Sequence, residues 1–402
     1  MISFEESMQR LKALDIEPVG VEKRFVTDAL HRILAQDIIA RENNPEYPTA
    51  AMDGYAIKAA DQAKKRLQIV DENPAGADTK RELRKGEAIK TFTGALMPEG
   101  ADTLIPIENV QVDGEYIEIL KPVSEGFSVR PVGENYKKGE KLIGKGSKIG
   151  FAEIGVMASL NIVMPKVYQK PKVAILATGS EVLEIGQAQT SSAQLRSSNN
   201  YTLEAITKLH GGEPIQLGAV KDDKYSITEA MQEAMQSADI VVTTGGVSVG
   251  DYDFVKDVVR EELGADVVFK GVVIKPGQHV MVAQNGKKII VALPGFAFSS
   301  TVTFLIYVLP ILYRMQGSEY QPKIVYATLK EPFIKRSKKT EFTPCNVRIE
   351  DGEFFVDFAG NKIGSSAILT NMLGHDKGLV ITSPNESDKE IGERVRVWLI
   401  NK

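Results

Sequence analysis

Residues 173–176 read Val-Ala-Ile-Leu and residues 240–242 read Ile-Val-Val, with no polar residue in either run. A strand buried on one face alternates apolar with polar residues, so unbroken runs of this kind belong to strands covered on both sides. Parallel sheets flanked by helices supply that cover. Each run ends in a glycine turn, Thr178-Gly179-Ser180-Glu181 after the first and Thr243-Thr244-Gly245-Gly246 after the second. Between the two runs, Leu203, Ile206 and Leu209 line one face of a helix that stops at Gly211-Gly212. A strand at 214–217 and a helix near 226–237 follow. Beyond the second run the pattern predicts a helix over 254–263 and a strand over 272–274. A strand–turn–strand at Asn285-Gly286 and a long helix over 298–315 complete it. This alternation predicts a βαβ-type sheet over 172–315 with both glycine turns at the same edge.

The flanks read differently. Ser3 followed by Glu6 is a capping-box signature, and Phe4, Met8, Leu11 and Leu14 continue it at helical spacing up to Pro18. A second helix is predicted over 26–35 and a short strand over 37–40. Residues 45–123 are rich in glycine, proline and short β-like runs, which predicts a small β-rich insertion. A glycine- and lysine-rich stretch at 133–150 leads into a helix over 152–160. After Gly317 the chain turns all-β, with Asp351-Gly352 between two apolar runs as a hairpin signal. At the end, Val395, Val397 and Leu399 alternate with Arg394, Arg396 and Trp398, one face buried and the other wet.

The 402 residues carry a formal net charge of −4, which argues against a nucleic-acid binder. An anionic ligand must then be held by local cations or backbone amides. The single cysteine, Cys345, permits no intrachain disulfide and no cysteine-based zinc cage, and reads as packing in a reducing cytosol. The acidic, amphipathic start lacks the features of a signal peptide. The apolar stretch at 296–312 is short for a bilayer and contains Pro310, so it reads as a buried helix and no membrane contact is expected.

Chemistry concentrates in a few segments. In 241–251 a buried strand runs into Gly245-Gly246, Ser248, Gly250 and Asp251, with Asp253 opening the next helix. Glycines permit close backbone approach, and helix N-terminal amides hold anions. The carboxyl end of such a strand is where open α/β sheets place ligands. The alternative is an ordinary tight turn. Asp53, in Ala51-Met52-Asp53-Gly54-Tyr55-Ala56, is either a carboxylate exposed for metal or proton work or a turn residue making local hydrogen bonds. The basic run Lys335, Arg336, Lys338, Lys339 reads as a solvated loop or as one wall of an oxyanion site. Among the histidines, His31, His210 and His375 read as surface or structural, and His279 could touch an anion.

These segments resemble the MoeA/gephyrin family of molybdenumtransferases. The 241–251 segment is similar to its T-S-G-G-V-S-x-G signature, which MogA- and CinA-type proteins share. Residues 51–57 resemble S-A-M-D-G-Y-A, which single-domain adenylyltransferases lack. Thr93-Gly94-Ala95 with Pro98, Gly100 and Asp102 is similar to the family's T-G-A-x-x-P-x-G-x-D stretch. Thr178-Gly179-Ser180-Glu181, Lys275-Pro276-Gly277, and Leu293-Pro294-Gly295 with Ser299 match further motifs in order.

The resemblance implies an elongated, multidomain α/β and β fold. Its parts would be a helical linker domain (1–40 and 125–168), an inserted β-rich domain (41–124), a MogA-like three-layer α/β domain (169–316) and a C-terminal β-barrel-like domain (317–402). It implies Mg²⁺-dependent insertion of molybdate into adenylylated molybdopterin with release of AMP, by a cytoplasmic homodimer. A MogA-type adenylyltransferase and molybdoenzyme apoproteins are the implied partners. Asp53, Thr93, Glu181 and Asp253 would be catalytic, with Glu181, Asp251 and Asp253 on the magnesium. Thr178, Gly179, Gly245, Gly246, Ser248, Gly250, Lys275, Pro294, Gly295, Ser299 and Lys339 would hold substrate.

Some positions depart from the pattern. Gln278-His279 stands for Lys-Pro, Phe296-Ala297 for Asn-Pro, Asn135 for an aspartate, Ser180 for an aspartate and Lys339 for an arginine. Read from sequence alone, these changes imply weaker molybdate binding that Gln278→Lys with Phe296→Asn restores. A non-catalytic or weakly active paralogue that carries molybdopterin-adenylate, and a gephyrin-like scaffold, stay open at this point.

Overall fold

The computed structural model describes residues 1–77, 81–247 and 254–400. Its centre is a six-stranded sheet. The strands Lys172–Thr178, Glu213–Val220, Ile240–Thr244 and Lys288–Leu293 run parallel, and Met281–Asn285 and Asp266–Lys270 complete the sheet antiparallel. Val173, Ile175, Ile240 and Val242 face one core, with the helical segment Ala297–Met315 packed on it. Ala174, Leu176 and Val241 face another, covered by helix Lys224–Ser237. The absence of alternation in these strands is thus matched by burial on both faces.

Two readings of this region change, and the buried-helix reading of the apolar stretch holds. The predicted strand over 272–274 is not in this sheet. Asp266–Lys270 fills the sheet edge, and Ile274–Lys275 instead pairs parallel with Thr340 and Glu341 of the C-terminal sheet. The predicted helix over 254–263 is α-helical only at Val255–Asp257 and continues as a π-turn over Val258–Glu262. The 297–315 helix is long and apolar enough to cross a membrane, but it lies inside the fold. It too contains a π segment, Phe304–Val308, after which Pro310 sits in the first turn of Leu309–Met315, where a missing amide costs little.

The first helix, Phe4–Ala13, is capped as expected by Ser3 Oγ, which accepts from the Glu6 amide at 3.0 Å. The box is only half made, because the Glu6 carboxylate turns to Arg10 at 2.6 Å. The helix predicted over 26–35 shrinks to a 3₁₀ turn, Val26–Ala29, because the chain then enters an extended path bridging to Lys148 and Val167. A separate six-stranded sheet is built from segments between Gly54 and Ile119.

The C-terminal strands Ile324–Leu329, Thr340–Glu350, Glu353–Asp357, Lys377–Thr382 and Arg394–Leu399 pair in a closed ring, a five-stranded barrel. Closure removes the free edges. Cys345 is buried there, and burial pushes its thiol up to about 12. Trp398, expected on the wet face, is buried against Tyr320 and Phe342. Tyr320 and Phe342 cover the strand at that point, and Phe342 in turn packs on Phe4 of the first helix, which alternation within one strand does not reveal.

Candidate active site

Two parallel neighbours, Lys172–Thr178 and Ile240–Thr244, deliver Gly179 and Gly245 side by side at their carboxyl ends. Gly245 has φ +91°, and a Cβ there would lie 2.8 Å from both the carbonyl oxygen and Oγ1 of Thr178. Only glycine fits that approach. Gly246 follows, also at positive φ. The Gly245 amide donates to the Leu293 carbonyl at 3.1 Å, which ties the turn to the next strand and to Pro294-Gly295. Asn199 clamps the same corner, donating to the Gly295 carbonyl at 2.8 Å and accepting from Ser300 Oγ at 3.1 Å. Sequence gave no signal for Asn199, since an asparagine at a helix start is ordinary.

The Oγ1 atoms of Thr178 and Thr244 are buried at these strand ends without a hydrogen-bond partner among the described residues. Such atoms call for a polar occupant or water. The Glu181 side chain is exposed and folds over Gly179, with no ion pair among the described residues. Ser248, Gly250, Asp251 and Asp253 lie outside the described residues. Among the described residues no group of three His, Cys, Asp or Glu side chains could hold a metal. A single exposed carboxylate beside the glycine turns is compatible with Mg²⁺, which is commonly held by one or two carboxylates together with substrate phosphates and water.

Next to this edge opens a cavity of about 330 Å³ between the α/β sheet and the barrel. Its wall on the sheet side carries Lys275, Gln278, His279, Pro294 and Ser299. The barrel side contributes Arg336, Lys339 and Glu341. Pro294 lines the cavity while Gly295 lies against Gly245, so glycine turns and cavity share one corner.

Gly277 has φ +94°, and a Cβ there would sit 2.2 Å from Thr303 Cγ2, which keeps the Lys-Pro-Gly turn tight against the buried helix. The pairing of Ile274–Lys275 with Thr340–Glu341 then brings Lys275 to the barrel. Glu341 is engaged by Ser337 Oγ at 2.5 Å and by the Arg336 amide at 3.3 Å. Lys335 donates to the Lys339 carbonyl at 2.8 Å from beneath, and burial, with Lys275 adding to it, holds its ammonium below the usual lysine range. Three cations thus face one occupied carboxylate. The basic run gave no indication of which members turn inward, and Arg336 and Lys339 are the ones that line the cavity; Glu341 carried no signal of its own in the sequence.

Asp53 and Thr93 lie just beyond the ends of the strands Gly54–Ile57 and Glu87–Thr91 of the separate sheet. Asp53 Oδ1 accepts from the Thr93 amide at 2.8 Å and from Thr93 Oγ1 at 2.7 Å. These two bonds hold the Asp53 carboxyl below its usual range, although both residues are exposed. The contact is neither a free carboxylate nor a local turn bond, since it joins two strands' ends across 40 residues. Within one chain the hydrogen-bond partners of Asp53, Thr93 and Ile107, come from turns at the ends of the same sheet.

Comparison with known proteins agrees with this layout. Residues 2–161 match the MoeA N-terminal region (domain I and II), and residues 174–314 match a probable molybdopterin binding domain. The molybdopterin molybdenumtransferase of a Nostoc species is 32% identical over 91% of this chain and 86% of its own length. The chain belongs to the molybdopterin molybdenumtransferase family. A second relative of that name, from Bacillus subtilis, is 31% identical over 100% of this chain and 94% of its own length. The structure of the molybdopterin biosynthesis MoeA protein from Pyrococcus horikoshii OT3 superposes with a TM-score of 0.84 at 29% identity, covering all of both chains. As a molybdenumtransferase-family member, the chain is a transferase of molybdenum cofactor biosynthesis with the MoeA fold.

Proposed function

We propose that this chain inserts molybdate into adenylylated molybdopterin and releases AMP. The observation that carries the reading is the shared corner at Pro294-Gly295. On one side lie the glycine turns and unpartnered threonine hydroxyls at the sheet edge, and on the other the cavity with Lys275, Arg336 and Lys339. A phosphate-bearing pterin at the turns and a tetrahedral dianion in the cavity would then be neighbours. That is what joining them requires.

Thr178, Gly179, Gly245 and Gly246 bind the nucleotide end through backbone approach and hydroxyls, while Lys275, Lys339 and Ser299 orient the oxyanion. Glu181, with Asp251 and Asp253, would hold Mg²⁺, which when bound polarises phosphoryl oxygens and favours AMP as a leaving group. The cations retained in the cavity favour an active enzyme over a carrier.

The reading extends to assembly. Asp53 and Thr93 form a built contact away from the sheet edge, and Tyr47, Met52, Leu96 and Phe127 are exposed in the same part of the chain. The accessible surface is 20253 Å². A compact monomer of 44.0 kDa would expose about 15,000 Å². Both features fit a cytoplasmic homodimer in which Asp53 and Thr93 of one copy complete the sheet edge of the other. A MogA-type adenylyltransferase would supply its substrate and molybdoenzyme apoproteins would receive its product.

The test is AMP release from adenylylated molybdopterin with molybdate and Mg²⁺. Losing one charged hydrogen bond costs about 1.5–3 kcal/mol. Lys275→Ala is therefore expected to raise the half-saturating molybdate concentration roughly ten- to a hundredfold. No AMP release by the unaltered chain at saturating molybdate would overturn the proposal.

A further inference from the structure

The cavity wall contains a chain of three side chains whose donors and acceptors fit together in one way. Lys339 Nζ donates to Gln278 Oε1, and Gln278 Nε2 lies 2.7 Å from His279 Nε2. An ammonium can only donate, so the Gln278 amide must turn its oxygen to Lys339 and its NH₂ to His279. The NH₂ in turn donates, so His279 Nε2 must be the acceptor. That fixes His279 as the neutral ring with its proton on Nδ1.

The groups around Lys339 make this contact matter. Lys275 faces it from the Lys-Pro-Gly turn, Arg336 from the barrel side, and the Glu341 carboxylate is already taken by Ser337 and the Arg336 amide. No ion pair forms at Lys339 among the described residues. A neutral amide therefore holds the ammonium, uses one of its three N–H bonds and cancels none of its charge. Lys335 braces the same residue through the Lys339 carbonyl and Thr382 Oγ1, at 2.8 and 3.1 Å.

We propose that Gln278 is a positioning residue that aims the Lys339 ammonium into the oxyanion cavity, so that the pair presents a single, fixed cation there. The inference rests on the oxyanion reading of this cavity. It reverses the expectation from sequence alone, because a lysine at 278 would set a second ammonium against the first.

The test is calorimetric titration of the full chain with molybdate, in the unaltered protein, Gln278→Leu, Gln278→Lys, Lys339→Gln and the exchanged pair Gln278→Lys/Lys339→Gln. Each single substitution is expected to weaken binding roughly tenfold, the loss of one charged hydrogen bond, and the exchanged pair to return within about threefold of the unaltered protein. Recovery on exchange is a response that simple loss of packing cannot give. In parallel, ¹⁵N spectra of histidine-labelled protein are expected to show His279 as the Nδ1–H form, and Gln278→Leu to lose that bias. Binding unmoved by either single change at 278, or an exchanged pair no better than the singles, would overturn the proposal alone. Absence of molybdate binding by every form, with the Nδ1–H signal present, would overturn the oxyanion reading and the proposed role with it.

Discussion

Gly245→Ala tests the packing on which the whole sheet edge depends. The new methyl carbon would sit 2.8 Å from the Thr178 carbonyl oxygen, which is backbone and held in the sheet, and 2.8 Å from Thr178 Oγ1. Forcing a non-glycine residue into the left-handed region costs about 1–2 kcal/mol. Overpacking against a fixed neighbour adds about 1–3 kcal/mol. Gly286→Ala is the control, because Gly286 has φ +57° and nothing within 4 Å of its added Cβ. It bears the backbone cost without the collision. The difference between the two variants is therefore about 1–3 kcal/mol. For a folding unit of 150–250 residues this corresponds to a melting temperature lower by roughly 2–12 °C in Gly245→Ala than in Gly286→Ala. Differential scanning calorimetry of the two variants side by side reads it. If both melt within a degree of each other, the close approach of Gly245 to Thr178 is not what the fold requires.

Two further outcomes follow from ionisable groups. Burial, with Lys148 adding to it, lowers His210 to about 4, so it is neutral in the fold and takes a proton on unfolding near pH 6.5. Its folded value is depressed, so the unfolded chain binds more protons in this window. Stability therefore falls as pH drops from about 6.5 to about 4, by roughly 3 kcal/mol in all. Urea titrations across that range should show the slope, and His210→Gln should flatten it; an unchanged slope would exclude His210 as its source. Asp53, held below its usual range by the two Thr93 bonds, should keep the Thr93 amide protected from hydrogen exchange as pH falls past 3.8. Asp53→Ala should lose that protection and AMP release while keeping its melting temperature, and persistence of both would remove Asp53 from the site.

Much of this protein was legible in its residues because local rules carry it. The unbroken apolar runs at 173–176 and 240–242 demanded two-sided burial, the Asp351-Gly352 hairpin formed where its turn chemistry put it, and Ser3 capped the first helix. The glycine turns were visible because positive φ and close approach leave few other residues possible. What sequence could not decide were contacts between segments far apart in the chain. Ile274–Lys275 left the α/β sheet because the barrel strand Thr340–Glu350 pairs with Glu353–Asp357 only from Asn346 on, which leaves its start at Thr340–Glu341 open on that side, and strand propensity does not name a partner. Trp398 alternated as a surface residue yet was covered by Tyr320 and Phe342, from segments well before it in the chain. Gln278 looked like a lost charge until the tertiary fold set Lys339 against it from 61 residues away. Local sequence specifies which backbone shapes are cheap; which side chains then share a cavity is decided by the packing of distant elements, where burial and charge are balanced over the whole molecule.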